Sequence, residues 1–269
     1  MFEPFRQMLA RKSSRNRPRL PDGQRVYVIG DIHGRLDLFE QLIEAIEIDD
    51  AELPDAETTV ILLGDLIDRG PDSAGVVKRA RKWQKKRNVR ILAGNHEEMF
   101  LESFDKTDTL RHFLRHGGRE TVLSYGVSRK EFNKASIKEL QKLMQVLVPE
   151  KDIRFIAGFE DMIAIGDYLF VHAGIDPERS LEEQKPRDMR WIREPFLRHR
   201  AQHSHIVVHG HTIFEEIDER KNRIGIDTGA YRFGKLTALV LEGEERRYIQ
   251  AVEKKKSGKL VIKHKESDR

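Results

Sequence analysis

Short apolar runs that stop abruptly at a glycine recur along the first part of the chain. Val26-Tyr27-Val28-Ile29 leads into Gly30-Asp31-Ile32-His33-Gly34. Val60-Ile61-Leu62-Leu63 leads into Gly64-Asp65-Leu66-Ile67-Asp68-Arg69-Gly70, and Val89-Arg90-Ile91-Leu92-Ala93 into Gly94-Asn95-His96-Glu97. Their length and β-branched bias predict three strands. Between them the apolar period changes. Leu38, Phe39, Leu42, Ile43 and Ile46 predict a helix from about 36 to 46, with 49–58 as loop. Ala74, Val77 and Ala80 line the inner face of a second helix over 73–86, and the Lys78–Arg87 charge run reads as its solvated face.

A third helix starts near His96 and turns Met99 and Phe100 inward. Leu110–Leu114 continues helical, closed by His116-Gly117-Gly118, and residues 119–135 show no clear period. Ser136-Ile137-Lys138-Glu139 reads as a capping box opening a helix to about Val148, and Pro149 starts another through Ile156. Beyond Gly158 the period becomes that of strands. Met162–Ile165 and Tyr168–Val171 flank Gly166-Asp167 as a tight hairpin, whose second strand ends at His172-Ala173-Gly174. Residues 175–204 form a long functional loop containing Trp191. Ile206-Val207-Val208 then leads to His209-Gly210-His211-Thr212. Runs at 213–217, 223–226, 236–241 and 247–252 read as an antiparallel meander.

With 269 residues, 38% hydrophobic and 35% charged, the chain is long enough for one large domain. No apolar run approaches the roughly 20 residues of a membrane span. Arg11-Lys12 interrupts the start before any signal-peptide core can form. Cysteine is absent, which excludes disulfides, thiolate metal sites and a cysteine nucleophile, and fits a cytoplasmic location. The net charge of +4 sits at the ends. Residues 1–25 carry seven Arg and Lys against two Asp and Glu, residues 253–269 seven against three, and 26–252 is near −5. We therefore divide the chain into a basic N-terminal extension (1–25, with an amphipathic turn around Phe2, Phe5 and Leu9), a catalytic domain (26–252) and a basic C-terminal tail (253–269). Both ends are expected to be solvated, and nucleic acid is not the expected partner.

Asp, His and Asn delivered by successive strand ends are the makeup of a site for hard or borderline divalent ions. Gly30 and Gly34 allow the tight turn that aims Asp31 and His33 at one ion. Each residue taken singly has a plainer reading. His172 fits a satisfied core histidine, Asn95 a helix N-cap, and Asp65 and Asp68 ordinary turn residues.

The motifs together are more specific than any part. GDIHG at 30–34, GDLIDRG at 64–70 and GNHE at 94–97 resemble the three-part signature of the calcineurin-like metallophosphoesterases. HAG at 172–174, WIR at 191–193, GHT at 210–212 and IDTGA at 226–230 continue the likeness over about 26–240. Within the superfamily it resembles the bacterial and phage branch of serine/threonine phosphoprotein phosphatases and symmetrical diadenosine tetraphosphate hydrolases. The resemblance implies a four-layer α/β/β/α sandwich of two mixed sheets flanked by helices. It implies two divalent ions, Mn²⁺ before Zn²⁺ or Fe, with Asp31, His33 and Asp65 on one and Asp65, Asn95, His172 and His211 on the other. His96 would be the general acid, held by Asp68, with Arg69 and Arg193 as phosphate clamps. His209 would lie beside the site, and Asp227 would support it by capping a turn or orienting His211.

The activity so implied is hydrolysis of a phosphomonoester by a metal-activated hydroxide, with phosphoserine or phosphothreonine in proteins as the first-ranked substrate. Symmetrical hydrolysis of diadenosine tetraphosphate is the alternative, and a non-catalytic phosphoprotein-binding scaffold or a nuclease stands behind it. The insert, with Arg179, Lys185, Arg187, Arg190, Trp191, Arg198 and Arg200, suits either phosphate-bearing substrate. Oligomeric state is not written in the pattern.

Overall fold

The computed structural model describes residues 17–267. The turn expected around Phe2, Phe5 and Leu9 lies outside the described residues. Two mixed sheets carry the molecule. The first has the order β11-β10-β9-β1-β2-β3, the second β4-β5-β6-β8-β7. In the first, β1 (Gln24–Ile29), β2 (Glu57–Leu62) and β3 (Val89–Ile91) are parallel neighbours, while β9 (Lys235–Glu242) returns antiparallel against β1. β10 (Glu245–Glu253) and β11 (Leu260–Glu266) extend it antiparallel to the edge. In the second, β4 (Met162–Ile165) and β5 (Tyr168–Val171) form the expected hairpin. β5, β6 (Ile206–His209) and β8 (Arg223–Gly225) run parallel, with the short β7 (Asp218–Glu219) antiparallel at the rim.

Side-chain alternation decides the layering. Val26 and Val28 face one core while Tyr27 and Ile29 face another. Val26, Val28, Ile61, Leu63, Tyr168, Phe170, Leu239 and Leu241 fill the space between the sheets. Tyr27, Ile29, Val60 and Leu62 point outward onto helices α1 (Leu36–Glu52), α2 (Ser73–Gln84) and α3 (Asn95–Glu102). Leu169, Val171 and Val207 pack beneath Met189 and Phe196 of the insert, on α9 (Pro186–Trp191) and α10 (Glu194–Arg198). Sheets buried on both faces need unbroken apolar runs, which is why these strands read so clearly. The result is the expected α/β/β/α sandwich. Among the described residues no helix is long and apolar enough to cross a membrane.

Several local expectations change. The helix after β1 runs on to Glu52, and residues 107–157 are helical throughout save short turns, as α4 (Thr107–Phe113), α5 (Arg119–Ser124), α6 (Arg129–Lys134), α7 (Ile137–Leu147) and α8 (Glu150–Ala157). The capping box at Ser136 and Glu139 forms as expected. The meander does not. β8 stays in the second sheet beside β6, whereas β9 crosses to β1 in the first, so two hairpins belong to two sheets. Residues 213–217 are not a strand; Phe214 N–H instead bonds the Asp227 carbonyl. The C-terminal stretch is no solvated tail over Leu260–Glu266. Leu260 and Ile262 supply enough apolar contact for an edge strand on β10, and Lys263 and Lys265 keep its outer side polar. At the other end Leu20 is fully buried between the sheets.

Candidate metal centre

Each strand-end motif delivers a side chain into one depression, because all the parallel strands of both sheets end on the same side. The turns that do this are strained. His33, Asp65, Asp68, Arg69 and His211 have positive φ, and they are the only non-glycine residues that do so among the described residues. Such conformations cost on the order of 1–3 kcal/mol each and gather where function holds them. Glu97 holds one. Its carboxylate, 1% exposed, accepts the N–H groups of Asp65 (2.9 Å), Leu66 (2.8 Å) and Gly94 (3.0 Å).

Asp65 is the hub. One triad of ligand atoms comprises His33, Asp65 and His96, another Asp65, His172 and His211, each set lying within 4.8 Å of one another and wholly buried. His33 Nδ1–H donates to the Ile67 carbonyl at 2.8 Å, so its Nε2 lone pair faces Asp65 Oδ2 at 3.5 Å. His172 Nδ1–H likewise donates to the Leu63 carbonyl at 2.7 Å. Its Nε2 lone pair therefore faces Asp65 Oδ1 at 3.5 Å and Asn95 Oδ1 at 3.1 Å. Asn95 Oδ1 also meets His211 Nδ1 at 2.9 Å. At His33 Nε2 with Asp65 Oδ2, and at His172 Nε2 with Asp65 Oδ1 and Asn95 Oδ1, electron-pair donors face one another without a proton between them, which fits a cation, and N and O donors fit a borderline or hard one. The residues thus suit a dinuclear centre sharing Asp65.

Electrostatics point the same way. Asp31, Asp65, Asp68, Glu97 and Asp227 are all buried. Burial, with Asp227 and Asp65 nearby, pushes the Asp31 carboxyl well above the usual range. Burial and the Asp65 charge push Glu97 up to about 7, and burial chiefly does the same to Asp227. Burial opposes ionisation of Asp65 too, but the four surrounding imidazoles, His172 first, hold its carboxyl far below the ordinary value. Burial lowers His33 and His172, and lowers His211 to about 2, leaving neutral imidazoles as ligands require. Divalent ions are the charges that such a group of carboxylates lacks.

Asp31 stands slightly apart from the triads. Its two oxygens accept the His211 N–H at 3.2 and 3.0 Å. His96 is placed differently from the other imidazoles. Its Nδ1–H donates to Asp68 Oδ2 at 2.6 Å, while Nε2 faces Asp65 Oδ2 at 3.9 Å. Against the effect of burial, Asp65 and Asp68 raise its pKa. Arg69 donates to His33 Nε2 at 2.9 Å and Arg193 to His211 Nε2 at 3.1 Å, so both guanidinium groups stand at the cluster.

Asp227 Oδ1 caps the following turn by accepting Gly229 N–H at 3.0 Å, and its Oδ2 is buried without a hydrogen bond. His209 is not among the clustered donors; its Nε2 accepts from Arg223 at 3.2 Å and its ring packs edge-on to Phe196. Much of the insert is engaged elsewhere. Arg190 pairs with Glu98 and Asp161, Arg179 with Asp176 and Arg198 with Glu194. Trp191 packs against the helix-side core and donates to Glu98 at 3.1 Å.

Four contributors escaped the sequence reading. Glu97 was visible only as part of its motif. Thr121 donates to Asp68 Oδ1 at 2.5 Å and accepts Asp68 N–H at 3.0 Å, and Ser73 Oγ accepts that N–H too. Tyr231 lies edge-on to His33 at 5.2 Å and beneath the Arg69 guanidinium at 4.8 Å. Pairing over 48 to 53 residues, as for Thr121, leaves no local signal.

Comparison with known proteins decides the family. The model of the calcineurin-like phosphoesterases matches residues 24–238. The chain belongs to that family. It is similar to the asymmetrical bis(5'-nucleosyl)-tetraphosphatase PrpE of Oceanobacillus iheyensis, 26% identical over 80% of this chain and 87% of the relative. It is also similar to serine/threonine-protein phosphatase 1 of Salmonella typhimurium, 29% identical over 79% of this chain and 89% of the relative. A crystal structure of a candidate diadenosine tetraphosphatase superposes with a TM-score of 0.60 at 20% identity, covering 93% of this chain and 98% of that one, a likeness of fold.

Proposed function

We propose that this calcineurin-like phosphoesterase hydrolyses a dinucleoside polyphosphate of the diadenosine tetraphosphate class. The observation that carries the reading is the nucleotide tetraphosphatase relative, matched over most of both chains. Phosphoserine and phosphothreonine, ranked first from the sequence, become the second reading, favoured by the Salmonella phosphatase relative. A non-catalytic scaffold gains no support from a site that keeps its paired His/Asp triads.

Asp31, His33 and Asp65 would hold one ion, and Asp65, Asn95, His172 and His211 the other. Two such ions supply Lewis-acid polarisation of phosphoryl oxygens and an activated water, the pattern of two-metal phosphoesterases. The chain's own groups do the rest. Arg69 and Arg193 grip the equatorial oxygens of the attacked phosphoryl group, for which a guanidinium fork is well shaped. Asn95 lies between two ligand imidazoles and completes the electrostatic cradle. His96 gives its Nε2 proton to the departing oxygen as the bond from that oxygen to phosphorus breaks, and Asp68 fixes the tautomer through Nδ1. Glu97 keeps Asp65 in its strained turn, so that the shared carboxylate does not reorganise.

Product analysis tests the reading. Protein loaded with Mn²⁺ is offered diadenosine tetraphosphate, a phosphoserine peptide and a phosphothreonine peptide at matched concentrations. The expected result is a kcat/KM at least roughly tenfold higher for the nucleotide, about 1.4 kcal/mol in transition-state binding. ADP alone marks symmetrical cleavage, and ATP with AMP asymmetrical cleavage. A tenfold preference for either peptide overturns the proposal in favour of the protein-phosphatase reading.

A further inference from the structure

His211 sits at the centre of a three-residue turn of the rare, strained kind. Its φ is +62°, and across it the Gly210 carbonyl accepts the Thr212 N–H at 2.7 Å. The turn is pressed against the site, since a Cβ on Gly210 would collide with Asp31 Oδ1. Asp31 takes the His211 N–H at 3.2 and 3.0 Å, which fixes the donor side of the turn. A Gly210 carbonyl held by the Thr212 N–H alone would let the turn relax toward negative φ. The His211 ring would then leave its place beside Asp65 and His172.

A second donor meets the same carbonyl. His209, fully buried at the end of β6, places Nδ1 3.0 Å from the Gly210 oxygen. The proton on that nitrogen is dictated from the other side of the ring. Nε2 stands 3.2 Å from an Arg223 guanidinium nitrogen, and a guanidinium only donates, so Nε2 accepts and Nδ1 carries the hydrogen. Arg223, on β8, is itself buried and forms an ion pair at 2.6 Å with buried Asp218 on β7. The ring has little room to turn. Phe196 lies edge-on at 5.1 Å, and a Cβ on Gly225 would stand only 3.2 Å from the imidazole. Side chains from β6, β7 and β8 thus act in line on one carbonyl, next in sequence to His211.

We propose that His209, Arg223 and Asp218 are positioning residues for the metal centre, bracing the strained turn that presents His211. Their loss weakens the ion assigned to Asp65, Asn95, His172 and His211 and spares its neighbour. The inference rests on the ligand role given to His211 above, not on the choice of substrate. Groups that hold a metal ligand from behind change affinity by roughly 10- to 100-fold. A network that only tied the rim of the sheet together would lower the melting temperature without favouring one ion over the other.

Two replacements of His209 isolate the Nδ1 bond. An Asn amide nitrogen sits where Nδ1 does, whereas a Gln amide reaches the place of Nε2. His209→Asn therefore keeps a donor for Gly210, and His209→Gln keeps only a partner for Arg223. Chelator-stripped protein is titrated with Mn²⁺ by calorimetry. In His209→Gln one of the two ions binds roughly tenfold more weakly or worse, while His209→Asn holds both nearly as the unaltered protein does. In a His172→Ala background, which keeps the ion on Asp31 and His33, adding His209→Gln leaves the affinity unchanged. Unaltered affinities in His209→Gln, equal weakening in both replacements, or equal weakening of both ions overturns the brace. If neither replacement folds, Arg223→Lys decides, since it keeps a cation beside Asp218 and loses the planar fork that meets Nε2. Weaker binding of one ion then supports the brace, and an unchanged titration overturns it. The two readings fail separately. A single ion in the unaltered protein removes the ligand assignment and the brace with it. Two ions there, with His209→Gln indistinguishable, remove the brace alone.

Discussion

Replacing Gly117 by alanine separates backbone strain from damage to the site, because the fold supplies a matched control. Gly117 has φ +109° and Gly126 has φ +106°, so an alanine at either position meets the same backbone penalty. That penalty is about 1–2 kcal/mol. The surroundings differ. A Cβ on Gly126 meets nothing within 4 Å, whereas one on Gly117 meets Arg69 Cγ at 2.6 Å and Arg69 N at 2.8 Å. Gly126→Ala should lower the melting temperature by roughly 2–8 °C, taking about 2–4 °C per kcal/mol for a chain of this size, with kcat/KM unchanged. Gly117→Ala should lower it further, since Arg69 must move or the turn must open. Its kcat/KM on p-nitrophenyl phosphate should fall roughly 10- to 100-fold, the equivalent of about 1.4–2.7 kcal/mol of lost transition-state contact. Both quantities come from one preparation, by a thermal melt followed by fluorescence and by steady-state kinetics. If the two variants match in melting temperature and in activity, the coupling of the Leu114–Gly118 turn to Arg69 has no energetic meaning and the reasoning is refuted.

Further outcomes follow from the same geometry. His96→Ala should cost roughly 100-fold or more on an alkyl phosphate and much less on a phosphoanhydride, whose leaving phosphate is stable as an anion near neutral pH; equal losses on both would remove the proton-donor role. Tyr231→Ala removes the ring beneath Arg69 and should raise KM a few-fold, in keeping with a cation–π contact of about 0.5–2 kcal/mol, and an unchanged KM would count against it. The Asp50 carboxyl, despite its burial, is held below the usual range by Arg25, Arg87 and Thr58. A depressed carboxyl contributes stability that is present above its unfolded pKa, about 3.9, and is lost as pH falls through the folded value. The urea midpoint of Asp50→Asn should therefore lie below that of the unaltered protein at neutral pH, with the gap closing below about pH 4. A gap that persists or widens there would contradict the pairing.

How much could be read from the chain depended on the range of the forces involved. The strands ending at Asp31, Asp65 and Asn95 were legible because a sheet covered on both faces needs continuous apolar runs, and because a sharp exit from it needs glycine. The donors and the His96–Asp68 pair were legible through their motifs. Strand order in the C-terminal half was not. Leu236–Leu241 alternates as a meander strand would, yet it pairs with β1, more than two hundred residues earlier, because Leu239 and Leu241 complete the space between the sheets. The Leu260–Glu266 edge strand was hidden by its lysines, which solvate one side while Leu260 and Ile262 pack on the other. Thr121, Ser73 and Tyr231 were missed for a simpler reason. A hydroxyl or ring that supports a site from another element leaves no spacing to recognise.

The shared position of Asp65 is the centre of the account, and metal stoichiometry tests it most directly. Protein stripped with a chelator is titrated with Mn²⁺ by calorimetry, alongside Asp65→Asn and His172→Ala. Two ions per chain are expected for the unaltered protein, one strong ion for His172→Ala, and the loss of tight binding at both sites for Asp65→Asn, because its oxygens face the donors of both triads. A single ion in the unaltered protein, or two tight ions retained by Asp65→Asn, would contradict it.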